Sequence, residues 1–98
     1  MDNQTKLEII ETSWQLHQQV EDSYLKNKAI KGDPEWSDKQ RILLADMALH
    51  LLQTALSPTE IELDKLRNNL HSILTISDLF LPDAELKVAT KNLFSIQN

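Results

Sequence analysis

The sequence predicts an all-α fold, an antiparallel four-helix bundle, from three observations. The run Ile42 to Leu56, ILLADMALHLLQTAL, is apolar except at positions three or four apart, which on a helix form one narrow polar stripe. The 98-residue chain contains a single glycine, as expected of a helix-rich domain with few tight turns. Three further amphipathic segments with short links surround that run, and packing them antiparallel buries their apolar faces. The polar residues of the stripe are Asp46, His50, Gln53 and Thr54.

The composition limits the function mainly by exclusion. A formal charge of −5 argues against nucleic-acid binding, which needs a basic surface. The absence of cysteine suits a reducing compartment and leaves no thiolate nucleophile or ligand. The amino-terminal MDNQTKLEII lacks the cationic start and apolar core of a secretory signal, and Ile42–Leu56 is too short to span a bilayer. We therefore expect one cytoplasmic domain, residues 1–98.

The first helix is predicted to begin at Thr5, because Thr5 and Glu8 fit a capping box. Lysines gather towards its far end, where cations suit the helix dipole, and Gly32 is predicted to close it in a left-handed conformation. An apolar stripe at helical spacing, interrupted by one histidine, comprises Leu7, Ile10, Trp14, His17, Val20 and Tyr24.

The second and third helices are each predicted to start at a further capping box. Ser37 and Gln40 open the second helix, which continues through Leu56. Ser57 and Glu60 open the third helix, so the link is short and the two helices should be antiparallel.

The third helix is predicted to end near Ser77 or Asp78, because Pro82 cannot continue it and disfavours helical geometry at Leu81, and the fourth helix is predicted to begin at Pro82. Its apolar face comprises Leu86, Ala89, Leu93 and Ile96, with Lys87 and Lys91 on the flank. The link Leu79–Leu81 is unusually apolar for a connection. The general burial of apolar side chains favours the interpretation that this link closes the end of the bundle. The alternative is an exposed patch that binds a partner.

No catalytic, cofactor or metal site is predicted. Asp46 and His50 have the i, i+4 spacing of metal ligands but supply too few ligands by themselves. His17 is interpreted as a hydrogen-bonded core histidine partnered by Glu21, and His71 as a solvent-facing residue. The chain has neither a nucleophile elbow nor a glycine-rich phosphate loop, so we do not expect an enzyme.

The segment LRNNLHSILTISDLFLPDAELKVATKNLF, from Leu66 to Phe94, joins a leucine-rich helix through a proline-marked link to a short helix with lysines. In this pattern, and in its length and layout, the chain resembles the immunity proteins of pediocin-like (class IIa) bacteriocins. The resemblance implies a four-helix bundle that stays inside the producer cell and has no catalytic residues. The implied partner is the set of membrane components of the mannose phosphotransferase system with bacteriocin bound. Contact from the cytosolic side would bring the protein to the inner face of the membrane.

We place the candidate recognition surface on the apolar link and on the exposed flank of the fourth helix, where two lysines can steer contact with an acidic receptor loop or anionic lipid. Its residues are Phe80, Leu81, Lys87, Lys91 and Phe94. We expect a monomer. The alternative function is that of a small helical adaptor or inhibitor, phage- or plasmid-encoded, which binds a soluble protein.

Overall fold

The computed structural model describes the backbone of residues 1–95 and the side chains of residues 1–94. It contains four helices and no strand within that range: α1 (Asn3–Lys26), α2 (Trp36–Ala55), α3 (Leu63–Ser77) and α4 (Leu86–Ser95). The predicted all-α, four-helix class is therefore confirmed. Ile96, which we assigned to the apolar face of the fourth helix, lies outside the described residues.

The helices α1 and α2 run antiparallel, as their cross-helix contacts show. Near the middle of α1, Ser13 Oγ accepts a hydrogen bond from Gln53 Nε2 at 3.1 Å, close to the end of α2. Near the end of α1, the ring of Tyr24 lies under the ammonium of Lys39, 4.9 Å from the ring centroid, close to the start of α2. Residue numbers thus rise along one helix as they fall along the other.

The bundle is open. In the described part of the chain each helix contacts only its neighbours in sequence, so the packed pairs are α1–α2, α2–α3 and α3–α4. The molecule measures 45 × 38 × 16 Å, and its radius of gyration of 15.3 Å exceeds the value of about 13 Å for a compact domain of this length. The four helices form a flat row and do not close around a common centre.

This arrangement leaves a small apolar core. Among the described residues, only Ala29 and Ile76 are buried apolar residues, each 8% exposed. The helix α2 was predicted to be covered on most sides, and that expectation is wrong. It is covered on two flanks, by α1 and α3, and its leucines are only half-buried. The buried residues of α2 are instead two polar ones, Gln40 and Thr54.

The predicted starts of the first two helices are wrong, although the helices themselves exist. The helix α1 begins two residues earlier than predicted, because the Asp2 carboxylate accepts a hydrogen bond from the backbone N–H of Thr5 at 2.7 Å. Aspartate caps a helix at least as well as threonine does, so the earlier cap extends the helix. The helix α2 begins at Trp36 after Glu35, which makes no side-chain capping bond, so Ser37 lies inside the helix.

The predicted starts of the other two helices are also wrong. Ser57 Oγ is hydrogen-bonded to Thr59 Oγ1 at 3.2 Å, in place of the predicted capping box with Glu60. The helix α3 begins at Leu63, after Glu62, which makes no side-chain capping bond. The helix α4 begins after Glu85, whose φ of 54° lies in the left-handed region and cannot belong to a right-handed helix.

The helix α1 also ends earlier than expected. It stops at Lys26, and the backbone N–H of Asn27 bonds the carbonyl groups of Ser23 and Tyr24. Gly32 does have a positive φ, 104°, but it lies in the turn between α1 and α2 and does not close α1.

Candidate functional site

The apolar link between α3 and α4 is exposed. Leu79, Phe80 and Leu81 are 54%, 40% and 56% exposed, so the interpretation that they close the end of the bundle is wrong. The physical reason is the open row of helices, which has no enclosed end for these side chains to fill. The alternative interpretation, an apolar patch that binds a partner, requires these side chains to be exposed.

The backbone of this link is held by its own hydrogen bonds. The N–H groups of Phe80 and Leu81 both donate to the carbonyl of Ser77 at 2.9 Å, and the N–H of Ala84 donates to Leu81 at 3.1 Å. Consecutive turns therefore satisfy the backbone donors and fix the position of the apolar side chains. The link presents those side chains from an ordered backbone.

Three of the predicted site residues lie on one face of α4. Lys87, Lys91 and Phe94 are spaced by four and three residues, so they follow one another along the same side of the helix. All three are exposed. The neighbouring face, which turns towards α3, carries the half-buried residues Leu86, Thr90 and Leu93.

The exposed face of α4 borders a groove against α3. The ring of Phe94 meets that of His71 edge to face, with centroids 5.6 Å apart. Further along, Lys87 and Asp78 line a groove of about 200 Å³. Because His71 is near Phe94 while Asp78 is near Lys87, α3 and α4 are antiparallel.

The predicted site is therefore extended. Phe80 and Leu81 lie just before the start of α4, and Phe94 lies near its end. Eight residues separate Leu86 from Phe94, which corresponds to about 12 Å along the helix axis. A partner that contacts all the predicted residues must cover the length of α4.

A second cluster, between α1 and α2, was only partly anticipated. The predicted pair of His17 and Glu21 is confirmed, with Nε2 and Oε2 3.0 Å apart. The other ring nitrogen of His17, Nδ1, lies 2.5 Å from Asp46 Oδ1 on α2. Nε2 of His50 lies 3.5 Å from the second oxygen of Asp46. We call His17, Asp46 and His50 the His–Asp–His cluster.

The His–Asp–His cluster is partly shielded from solvent. The side chains of His17 and Asp46 are 16% and 13% exposed, and that of His50 is 33% exposed. The two imidazoles lie 4.9 Å apart between centroids, and the ring of Trp14 packs edge to face against both. On its open side, His50 lines a groove of about 420 Å³.

One sequence signal could have located this cluster. His17 interrupts the apolar stripe of the first helix, and Asp46 with His50 interrupts the apolar run of the second. Buried polar groups need hydrogen-bond partners, and two interruptions in adjacent antiparallel helices can satisfy each other. Which residue of the second helix lies opposite His17 depends on how the two helices pack, and the spacing of residues along either helix does not determine it.

Within the described residues, no helix combines the length and the apolar character required to cross a membrane. No protein-family model, curated protein or solved structure matches the chain.

Proposed function

We propose that this protein is a non-catalytic immunity protein of the pediocin-like bacteriocin class. In this proposal it protects the producer cell by binding, from the cytosolic side, the membrane components of the mannose phosphotransferase system when a bacteriocin is bound to them. The observation that carries the proposal is the exposed, backbone-ordered apolar link Leu79–Leu81. The resemblance of Leu66–Phe94 to the immunity proteins supplies the identity of the partner.

The exposed link has the properties of an interaction site. Its three large side chains are contiguous in sequence, and exposed apolar patches on small proteins commonly mark binding surfaces. A few buried aromatic and aliphatic anchors usually contribute most of the binding free energy of an interface. Phe80 is the aromatic residue of the link and therefore the best candidate for such an anchor.

The charge on α4 supports the same surface. Lys87 and Lys91 are exposed on one side of a helix in a protein whose formal charge is −5. Near anionic lipid each lysine contributes about 1 kcal/mol of attraction. Complementary charges also accelerate encounter with an acidic receptor loop. The lysines would orient the acidic protein with α4 towards the membrane or the receptor.

The proposal is tested by expressing the chain in a bacteriocin-sensitive strain and measuring growth against a panel of pediocin-like peptides. The panel should include mundticin, because the chain resembles the mundticin immunity protein. We expect resistance to one or a few peptides, while purified protein leaves the mass of the peptide unchanged. Peptide degradation by the purified protein, or sensitivity to every peptide despite normal expression, would contradict the proposal.

A charge-reversal pair tests the surface itself. We expect Lys87→Glu with Lys91→Glu to abolish protection with almost no change in Tm, because exposed charges contribute little to stability. The matched control reverses Lys26 and Lys31, which are exposed at the opposite end of the row, and should retain protection. Equal protection by both double variants would exclude the lysines from the recognition surface.

A further inference from the structure

We propose that the His–Asp–His cluster binds a divalent transition-metal ion between α1 and α2, with Zn²⁺ as the probe. His17, Asp46 and His50 each offer one ligand atom, and these atoms all lie within 4.8 Å of one another. The three residues come from two helices, so a bound ion would join α1 to α2. The cluster lies away from α4, and this inference is independent of the proposed function.

The ligand types match the preference of zinc. Two imidazole nitrogens and one carboxylate oxygen form a three-ligand set, and zinc sites of this kind complete a tetrahedron with water. Bond lengths of about 2.0–2.2 Å place the ligand atoms of such a tetrahedron about 3.3 Å apart. His17 Nδ1 lies 2.5 Å from Asp46 Oδ1, His50 Nε2 lies 3.5 Å from the other oxygen, Oδ2, and one ligand atom from each residue can be chosen so that all three lie within 4.8 Å of one another. An ion bound by one oxygen of Asp46 would require side-chain rotations that bring both imidazole nitrogens to about 3.3 Å from that oxygen.

The surroundings of His17 already orient it as a ligand. Its Nε2 lies 3.0 Å from the Glu21 carboxylate, so an N–H at this position donates to Glu21. Nδ1 lies 2.5 Å from Asp46 Oδ1, so in the absence of an ion one proton lies between these two atoms, and a bound ion would take the place of that proton. Metal-bound histidines commonly donate their second ring N–H to a carboxylate, which fixes the tautomer and strengthens the ligand. In the proposed site, Glu21 is the carboxylate that accepts this hydrogen bond from His17.

The cluster is also accessible to an ion. His50 lines the groove of about 420 Å³, so an ion can reach the ligands and keep a water on the open side. The ring of Trp14 on α1 contacts both imidazoles, with ring centroids 5.4 Å from His17 and 6.3 Å from His50. The ordinary interpretation of the same contacts is a hydrogen-bonded network without an ion, and the two interpretations give different results on titration.

The test is titration of the metal-free protein with Zn²⁺ by calorimetry, and with Co²⁺ by absorption spectroscopy. We expect one ion per chain and ligand-field bands typical of tetrahedral Co²⁺. At a hundredfold excess of free Zn²⁺ over Kd, Tm should rise by at least about 10 °C. In histidine side-chain NMR spectra, Zn²⁺ should shift the signals of His17 and His50 and leave those of His71 unchanged.

Matched variants assign the ligands. His50→Gln, at the most exposed ligand, should fold and should weaken Zn²⁺ binding by more than 100-fold, whereas Glu21→Gln should weaken it by about 10–100-fold. His71→Gln removes a histidine that lies on α3 outside the cluster and should bind like the parent. Absence of saturable binding, or equal affinity in His50→Gln and the parent, would overturn the proposal.

Discussion

The carboxylate of Asp2 caps α1. Its hydrogen bond with the backbone N–H of Thr5, and secondly that with the Thr5 side chain, lower the pKa of Asp2 below the ordinary value of 3.8. Because the pKa is lower in the folded state, this bond stabilises the protein above the unfolded-state pKa, and the stabilisation is lost as pH falls through the folded-state pKa. The Tm of an Asp2→Ala variant should therefore be lower than that of the parent at neutral pH, and the difference should shrink in acid.

Asp2→Asn is the control for this prediction. Asparagine caps a helix about as well as aspartate but does not titrate. Its Tm should stay near that of the parent at neutral pH. Thermal unfolding followed by circular dichroism across the acidic range measures all three proteins. An Asp2→Ala deficit that is constant with pH would show that the carboxylate charge is unimportant.

Truncation of Phe80 tests whether this side chain contributes to packing or to recognition of the partner. It is 40% exposed, so Phe80→Ala should destabilise the protein by much less than the roughly 3–5 kcal/mol of a buried phenylalanine. We expect protection to be lost while the fold is retained. Leu25→Ala, on α1 at 57% exposure, is the control and should affect neither property. Loss of stability and protection together in Phe80→Ala would assign the ring to packing.

Burial should decide the cost of truncating an isoleucine, both in α3 and in the link between α1 and α2. Ile76 of α3 is 8% exposed, and Ile76→Ala should lower the free energy of unfolding by about 2–4 kcal/mol. The same change at Ile30, which is 69% exposed, should cost less than about 0.5 kcal/mol. Urea denaturation provides both values. Similar costs at the two positions would mean that Ile76 is not part of the core.

The helices were predictable from sequence, whereas their ends were not. A helix is indicated by many apolar residues at one spacing, so the evidence accumulates over its length. A helix end is decided by one or two hydrogen bonds, and several residues compete for that role. Asp2 displaced Thr5 as the first cap, and Ser57 bonded Thr59 and did not cap α3. Ser77 as the end of α3 was predicted correctly because Pro82 limits how far the helix can continue.

The exposure of the candidate site was predictable only in part. Lys87 and Lys91 were expected on the outer side of α4, because charged residues rarely lose their hydration. Phe80 and Leu81 are apolar and were expected to be buried, and their exposure depends on the open arrangement of all four helices. That arrangement is set by contacts between distant residues, which no local pattern in the sequence specifies.

At the scale of the whole molecule, packing between sequence neighbours should make stability local. Deletion of residues 82–98 removes α4, which contacts only α3 among the described helices. When each helix packs only on its neighbours in sequence, removal of one terminal helix removes one interface and leaves the others intact. We expect the shortened protein to keep the slow amide hydrogen exchange of α1 and α2, with faster exchange in α3. Exchange at the rate of an unfolded chain throughout α1 and α2 would contradict local stability.

The packing of each helix on its predecessor also bears on synthesis. The contacts between α1 and α2 join residues within 3–55, so both sides of this interface are synthesised before α3 begins. At about 5–20 residues per second, translation from Leu56 to Phe94 near the end of α4 takes roughly 2–8 s. Two helices can pair far faster than that. The α1–α2 pair can therefore form before α4 packs on α3, and α4, with its lysines, is the last of the four described helices to be synthesised.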